Sequence, residues 1–290
     1  MKNFADKVAA ITGAGSGMGR ELAVQLAQRG CHLALSDINE AGLADTAGLA
    51  RAASAVRVTT QKLDVADRAA VYTWADQAAQ DHGKVNLVFN NAGVALGASV
   101  ESVSYADFEW IFGINFWGVV YGTKAFLPHL KASGDGHIVN TSSLFGIVAA
   151  PMNSTYNATK FAVRGFTEAL RQELDLTPCG VSATSVHPGG IKTNIARAAR
   201  RDGSLARLGV DPEKATQEFE KSFITSAADA ARIILQAVEQ NRRRVLVGPD
   251  AKIVDLIQRL MPESYQKLVI RFTRKNLEAA RRAAVQSSGS

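Results

Sequence analysis

Cysteine is scarce. The 290 residues contain two, Cys31 and Cys179, with no C-x-x-C pair and no metal-ligand spacing. A disulfide framework is excluded, and a reducing cytoplasmic setting is expected. Long apolar runs are missing too: no run of about 18 apolar residues free of charge occurs, so no membrane span is expected. Residues 1–7 lack the apolar centre of a secretion signal. The five histidines, at 32, 82, 129, 137 and 187, show no H-E-x-x-H or other ligand spacing, so no metal site is expected. A G-x-S-x-G turn is also absent, which leaves serine hydrolysis without support.

What remains is the composition of a globular protein, 47% hydrophobic and 21% charged, with mean hydropathy near zero at −0.02. The chain is long enough to bury a full core without covalent staples. Its net charge of +6 invites a nucleic-acid reading, but the distribution argues against one. Residues 241–290 carry eleven Lys or Arg against four Asp or Glu, leaving 22 basic and 23 acidic groups in the rest. The excess lies in one terminal segment with no recognition motif, so no nucleic-acid partner is expected.

Short apolar runs alternate with helical patterns. Strands are expected at 8–11, 32–35, 56–63, 86–89, 137–140, 181–186 and 244–247. Helices are expected at 19–28, 40–52, 68–80, 105–131, 154–176 and 227–239. This alternation predicts an α/β fold: a doubly wound, Rossmann-type parallel sheet of seven strands with helices on both faces. No linker or repeat interrupts it, so residues 1–248 read as one domain, followed by a basic helical extension at 249–290.

The first strand ends in Thr12-Gly13-Ala14-Gly15-Ser16-Gly17-Met18-Gly19 before a helix. A strand, a glycine turn and a helix start together offer backbone N–H groups to a pyrophosphate, and missing Cβ atoms let it approach. There is no G-x-x-x-x-G-K, which excludes a P-loop. Asp37, 24 residues after Gly13, follows the second strand. A carboxylate there accepts hydrogen bonds from ribose hydroxyls and repels a 2′-phosphate, so NAD is expected over NADP. Two readings compete: Asp37 as an ordinary helix N-cap, and Arg20 as a residue favouring NADP.

Tyr156 and Lys160 stand four apart in a helical pattern, hence on one face. A phenol has a pKa near ~10, and a neighbouring ammonium is expected to lower it toward use as a general acid/base. Thr12-Gly13-x-x-x-Gly17-x-Gly19, Asn90-Asn91-Ala92-Gly93, Asn115, Ser142-Ser143, Tyr156-x-x-x-Lys160 and Pro188-Gly189 follow one another in order. In this the chain resembles the single-domain branch of the short-chain dehydrogenase/reductase family, over about five-sixths of its length.

The resemblance implies a catalytic set of Asn115, Ser143, Tyr156 and Lys160. Ser143 would hold the substrate oxygen beside the tyrosine, and Asn115 would organise a water beside the lysine. It implies cofactor contacts from Gly13, Ser16, Gly17, Met18, Gly19, Asp37, Asp64, Val65, Asn91, Ala92, Gly93, Tyr156, Lys160, Pro188, Gly189 and Thr193. A homo-oligomer, dimer or tetramer, is implied as well.

Val94, Leu96, Phe145, Met152 and Ile191 are expected to border a substrate pocket, with Leu144 and Val148 beside them. Their apolar character points to a hydrophobic secondary alcohol or its ketone. Arg197, Arg200, Arg201 and Arg207 lie in an expected lid at 194–225 and raise an alternative, NADPH-dependent reduction of a 3-oxoacyl thioester. A different class, a non-catalytic cofactor sensor or scaffold, would be expected to have lost Tyr156 or Lys160. The extension, with amphipathic patterns at 249–260 and 265–277, could form a lid, an oligomer contact or a peripheral membrane face.

Overall fold

A computed structural model describes residues 1, 3–203, 212–221 and 223–288. Strands β1 (Val8–Thr12), β2 (His32–Asp37), β3 (Val58–Lys62) and β4 (Leu87–Asn90) alternate with helices α1 (Gly17–Gln28), α2 (Glu40–Ala53) and α3 (Arg68–His82). After the short β5 (Leu96–Gly97) come α4 (Tyr105–Phe112), α5 (Gly118–Ala132), β6 (Gly136–Thr141), α6 (Ser154–Leu176) and β7 (Val181–Pro188). The two-residue strands β8 (Ile191–Lys192) and β9 (Arg200–Arg201) precede α7 (Pro212–Glu220) and β10 (Thr225–Ser226). The chain ends with α8 (Ala227–Glu239), β11 (Arg244–Val247), α9 (Pro249–Leu260) and α10 (Tyr265–Ser288).

All seven expected strands form one sheet, ordered β11-β7-β6-β4-β1-β2-β3, and every pair is parallel. Helices cover both faces, so the central strands read as unbroken apolar runs: all five residues of β1 are buried. On one face Leu22 and Leu26 of α1 and Ile234 and Leu235 of α8 pack over the sheet. On the other, Trp74 of α3 meets Phe126 of α5 edge-on at 5.0 Å, above Val88 and Ile138.

From β1 the chain winds outward through β2 and β3, then crosses to β4 and winds the other way. The crevice at this reversal, outside the strand carboxyl ends, is where open α/β sheets bind ligands. Gly13, Asp37, Asn91, Ser143 and Pro188 all sit at those ends.

The expected helix at 105–131 is not one regular helix. A π-helical turn, Gly113–Trp117, separates α4 from α5. Each residue in such a turn bonds five along instead of four, a one-residue slip that propensity and periodicity do not register.

Candidate active site

The glycine turn is held in shape by close approach. Gly13 has φ 66°, and a Cβ on it would lie 2.8 Å from the Cα of Ala92. A Cβ on Gly19 would collide with the Gly13 carbonyl. Asn91 braces the same turn, its Nδ2 donating to the carbonyls of Thr12 (3.1 Å) and Gly13 (3.3 Å). The backbone N–H groups of Asn91 and Ala92 both donate to Thr12 Oγ1 at 3.0 Å. Beyond the turn, the Ser16 side chain makes no cap bond and no acidic residue occupies the first turn of α1. The helix therefore presents unclaimed N–H donors and its positive end to an anion. Thr193 closes on this turn from the far side, its Cγ2 being 3.0 Å from a Cβ built on Gly17. This cradle fits the pyrophosphate of a dinucleotide.

Asp37, at the end of β2, accepts from the N–H of Gly15 (2.8 Å) and of Asn39 (2.8 Å). It is not the cap of α2; Asn39 is, accepting from Gly42 N–H at 3.1 Å. Arg20 does not project toward this carboxylate as a free cation. It donates to the carbonyls of Gly15 (2.7 Å) and Gly42 (3.3 Å) and to Thr46 Oγ1 (3.0 Å). Farther along the adenosine side, Asp64 is exposed and accepts from Ala66 N–H, while Val65 is buried against Gly118.

Tyr156, Lys160 and Ser143 converge at the β6 end. Lys160 is buried, donates from Nζ to the Thr141 carbonyl at 3.0 Å, and lies 5.6 Å from the centre of the Tyr156 ring. Burial pushes its pKa down to about 8. Burial also raises the Tyr156 phenol above its usual value, and the hydrogen bond from Ser143 only partly offsets this. The expected acidifying effect of Lys160 is thus not what the protein alone provides: desolvation dominates. Of the two adjacent serines, Ser143 fits this role, since its Oγ accepts from Phe145 N–H at 3.0 Å and keeps its proton to donate, whereas Ser142 does not. The Ser142 hydroxyl donates to the Lys160 carbonyl at 2.7 Å.

Asn115 lies fully buried in the π turn. Its Oδ1 accepts from Val94 N–H (2.8 Å) and its Nδ2 donates to the Val94 carbonyl (2.9 Å) and Thr159 Oγ1 (3.3 Å). The side chain therefore clamps the Val94 backbone and ties it to α6. Both Nδ2 protons are engaged, so the amide's remaining capacity toward a water is the second lone pair of Oδ1. Gly93 is passed closely by both groups: a Cβ there would lie 3.2 Å from Asn115 Oδ1 and 3.4 Å from Lys160 Nζ.

Two supporting groups lie behind these residues. A buried amide chain runs from Asn90 Nδ2 to Asn140 Oδ1 (2.8 Å) and from Asn140 Nδ2 to Thr167 Oγ1 (3.0 Å), joining β4, β6 and α6. The second is His187, whose Nδ1 faces the Ser143 carbonyl at 3.1 Å and whose Nε2 faces Ser185 Oγ at 3.0 Å. A carbonyl oxygen only accepts, so Nδ1 carries the proton and Nε2 accepts from the serine. Burial lowers its pKa to about 4, which keeps the ring neutral. His187 thus fixes the backbone of Ser143 without lining the pocket.

On the substrate side, Phe145 meets Tyr156 edge-on at 6.2 Å. Met152 has φ 64°, and its carbonyl accepts from Ala98 N–H, holding residues 94–98 beside α6. Leu96 is buried in β5. Ile191 departs from the expected lining role: it packs into the core with Val186, Val247 and Ala230. Among the expected lid arginines, Arg197 is bonded to Glu220 at 3.0 Å, and Arg200 to Asp107 at 3.2 Å while stacking 3.6 Å over Trp110. Arg201 donates to the Ala196 carbonyl. Arg207 lies outside the described residues.

The extension meets the site twice. Asp250 Oδ2, at the start of α9, accepts from Gly190 N–H at 2.6 Å, just after Pro188-Gly189. Residues Val254, Ile257, Tyr265 and Val269 pack against Leu144, Phe145, Ile147 and Val148, and Tyr265 Oη accepts from Ala149 N–H at 3.3 Å. No metal-binding cluster occurs among the described residues, and no helix among them is long and apolar enough to cross a membrane.

A glycine cradle at the sheet's reversal beside a buried Tyr–Lys–Ser group defines a dinucleotide-dependent α/β protein. The family model for short chain dehydrogenases matches residues 7–204, and the chain belongs to that family. It is an oxidoreductase. It is 50% identical over 270 residues to the SadH protein of Mycobacterium tuberculosis, covering 93% of this chain and 96% of that one. It is 37% identical to mouse epidermal retinol dehydrogenase 2, over 75% and 71% of the two chains. A short-chain dehydrogenase/reductase from Burkholderia phymatum, solved in complex with NAD, superposes with a TM-score of 0.83 at 34% identity, covering 92% of this chain and 97% of that one.

Proposed function

We propose that this enzyme interconverts a hydrophobic secondary alcohol and its ketone with NAD, using Tyr156 as general acid/base. The observation that carries the reading is the convergence of Tyr156, Ser143 and Lys160 in one buried group beside the glycine cradle. When bound, the nicotinamide accepts or supplies the hydride. Ser143 Oγ orients the substrate oxygen toward the phenol. Tyr156, its pKa raised by burial, rests as the neutral phenol and is ready to donate to a carbonyl. Lys160, held by Thr141, keeps a cation next to the ring where negative charge would develop on the phenol oxygen. Phe145, Leu96 and Met152 give the substrate an apolar surround.

Arg197, Arg200 and Arg201 are engaged by Glu220, Asp107 and the Ala196 carbonyl, which weakens the case for an anionic acyl thioester as far as these three carry it. The test is a panel of alcohols and ketones followed at the reduced-nicotinamide absorbance with both cofactors. Turnover of apolar secondary alcohols supports the reading. Turnover of acyl thioesters or sugars, with none of apolar alcohols, overturns it.

The preference for NAD rests on Asp37, with Arg20 tied down elsewhere. Asp37→Asn keeps an oxygen for the Gly15 N–H but removes the charge. Fluorescence titration is expected to show the variant's NADH-over-NADPH preference reduced about tenfold, the size of one partly screened like-charge contact. An unchanged ratio would remove Asp37 from the discrimination.

A further inference from the structure

The extension has an inner face that packs on residues 144–148 and, among the described residues, apolar side chains that stay exposed. On α9 the outer face is a stripe of Ile253, Leu256 and Leu260, which are 59%, 56% and 73% exposed. Their spacing of three and four places them on one side of the helix. Lys252 and Arg259 flank this stripe on the edge next to Leu256. On the next helix the exposed apolar residues lie along the edge of the stripe that Tyr265 and Val269 turn inward. On α10 Leu268 and Phe272 are 40% and 55% exposed, with Arg271 and Lys275 beside them.

Charge selects the partner. Among the described side chains of residues 249–278, six cations are exposed, against two acids, Glu263 and Glu278. Asp255 is buried and pairs with only Arg259 of these, sharing its charge with Arg244. A two-fold contact between copies would set each stripe and its cations against the same patch, so like charges would meet. An anionic bilayer surface has no such penalty, and it accepts isolated leucines and a phenylalanine at headgroup depth while the lysines and arginines reach its phosphates.

We infer that the outer face of α9, with the adjoining exposed edge of α10, docks this enzyme peripherally on anionic lipid membranes. Docking would set the wall formed by Leu144, Phe145 and Val148 next to the bilayer, where apolar alcohols and ketones partition. The docking itself requires no particular reaction, and it is measured without substrate or cofactor. Its failure is therefore separable from failure of the oxidoreductase reading.

The experiment is co-sedimentation of the full chain with vesicles of phosphatidylcholine alone and of phosphatidylcholine mixed with phosphatidylglycerol. Binding to the mixed vesicles is expected at low salt, and it should fall as salt rises. Leu256→Ser combined with Leu260→Ser should weaken it by about tenfold. NADH binding and the mass in light scattering should not change. Arg271→Gln with Lys275→Gln should reduce the preference for the anionic vesicles. No binding to the mixed vesicles, or equal binding by the leucine variant, would overturn the inference. A drop in mass for the leucine variant would also overturn it, because a second copy would then be what covers the stripe.

Discussion

Tyr156→Phe should lower turnover by about 10²–10⁴-fold, the range for losing a positioned general acid/base, while NADH still binds within about twofold of the wild type. The asymmetry follows from the geometry. Phenylalanine keeps the ring that meets Phe145 edge-on and that Lys160 overlies, so the packing of α6 against residues 144–146 is retained. Lys160 keeps its bond to Thr141, and Ser143 Oγ keeps its bond from Phe145 N–H. Only the proton-carrying oxygen is lost. Steady-state turnover and a fluorescence titration on the same preparation check both halves. A variant retaining a tenth or more of the activity would end the acid/base assignment.

Acid should destabilise this protein well before its carboxylates titrate. His137 and His187 are both fully buried, and burial lowers their pKa values to about 3 and about 4, from 6.5. Below pH 6.5 the unfolded chain takes up protons that the folded chain refuses at these rings, so stability is lost as pH falls toward 4. Each pH unit in this window costs about 1.4 kcal/mol per histidine, or about 4 kcal/mol in total at about pH 5. Urea unfolding at neutral pH and at about pH 5 measures the loss. His187→Asn, whose Nδ2 can still donate to the Ser143 carbonyl, should remove close to half of it. A flat unfolding free energy across this window would mean that these rings are protonated in the folded state.

Much of this was legible before the structure because central strands buried on both faces read as apolar runs, as β1 does, while the polar edge strand β3 stood out only by its place between helical patterns. Their order in space was not legible, since hydrophobicity does not encode which neighbour a strand chooses. The turn at Gly13 could be read because glycine has few reasons to recur four times between a strand and a helix. Asn115 was found, but its local geometry was not, as a π turn differs from an α turn by one carbonyl. His187 and Asn140 were invisible as supports: their partners lie 44 and 50 residues away in sequence. The desolvation of Tyr156 was not legible, because spacing reports proximity to Lys160 and says nothing about how dry the site is.

The bond from Gly190 N–H to Asp250 crosses from the β7 turn to the start of the extension. Side chains at residues 189 and 248 would strike that carboxylate, so two glycines and one aspartate make a single fitted joint. Engineers who splice a foreign tail onto this catalytic body after Val247 would therefore leave the turn at Pro188–Gly190 without its latch. A chimera that retains Gly248 through Asp250 keeps it.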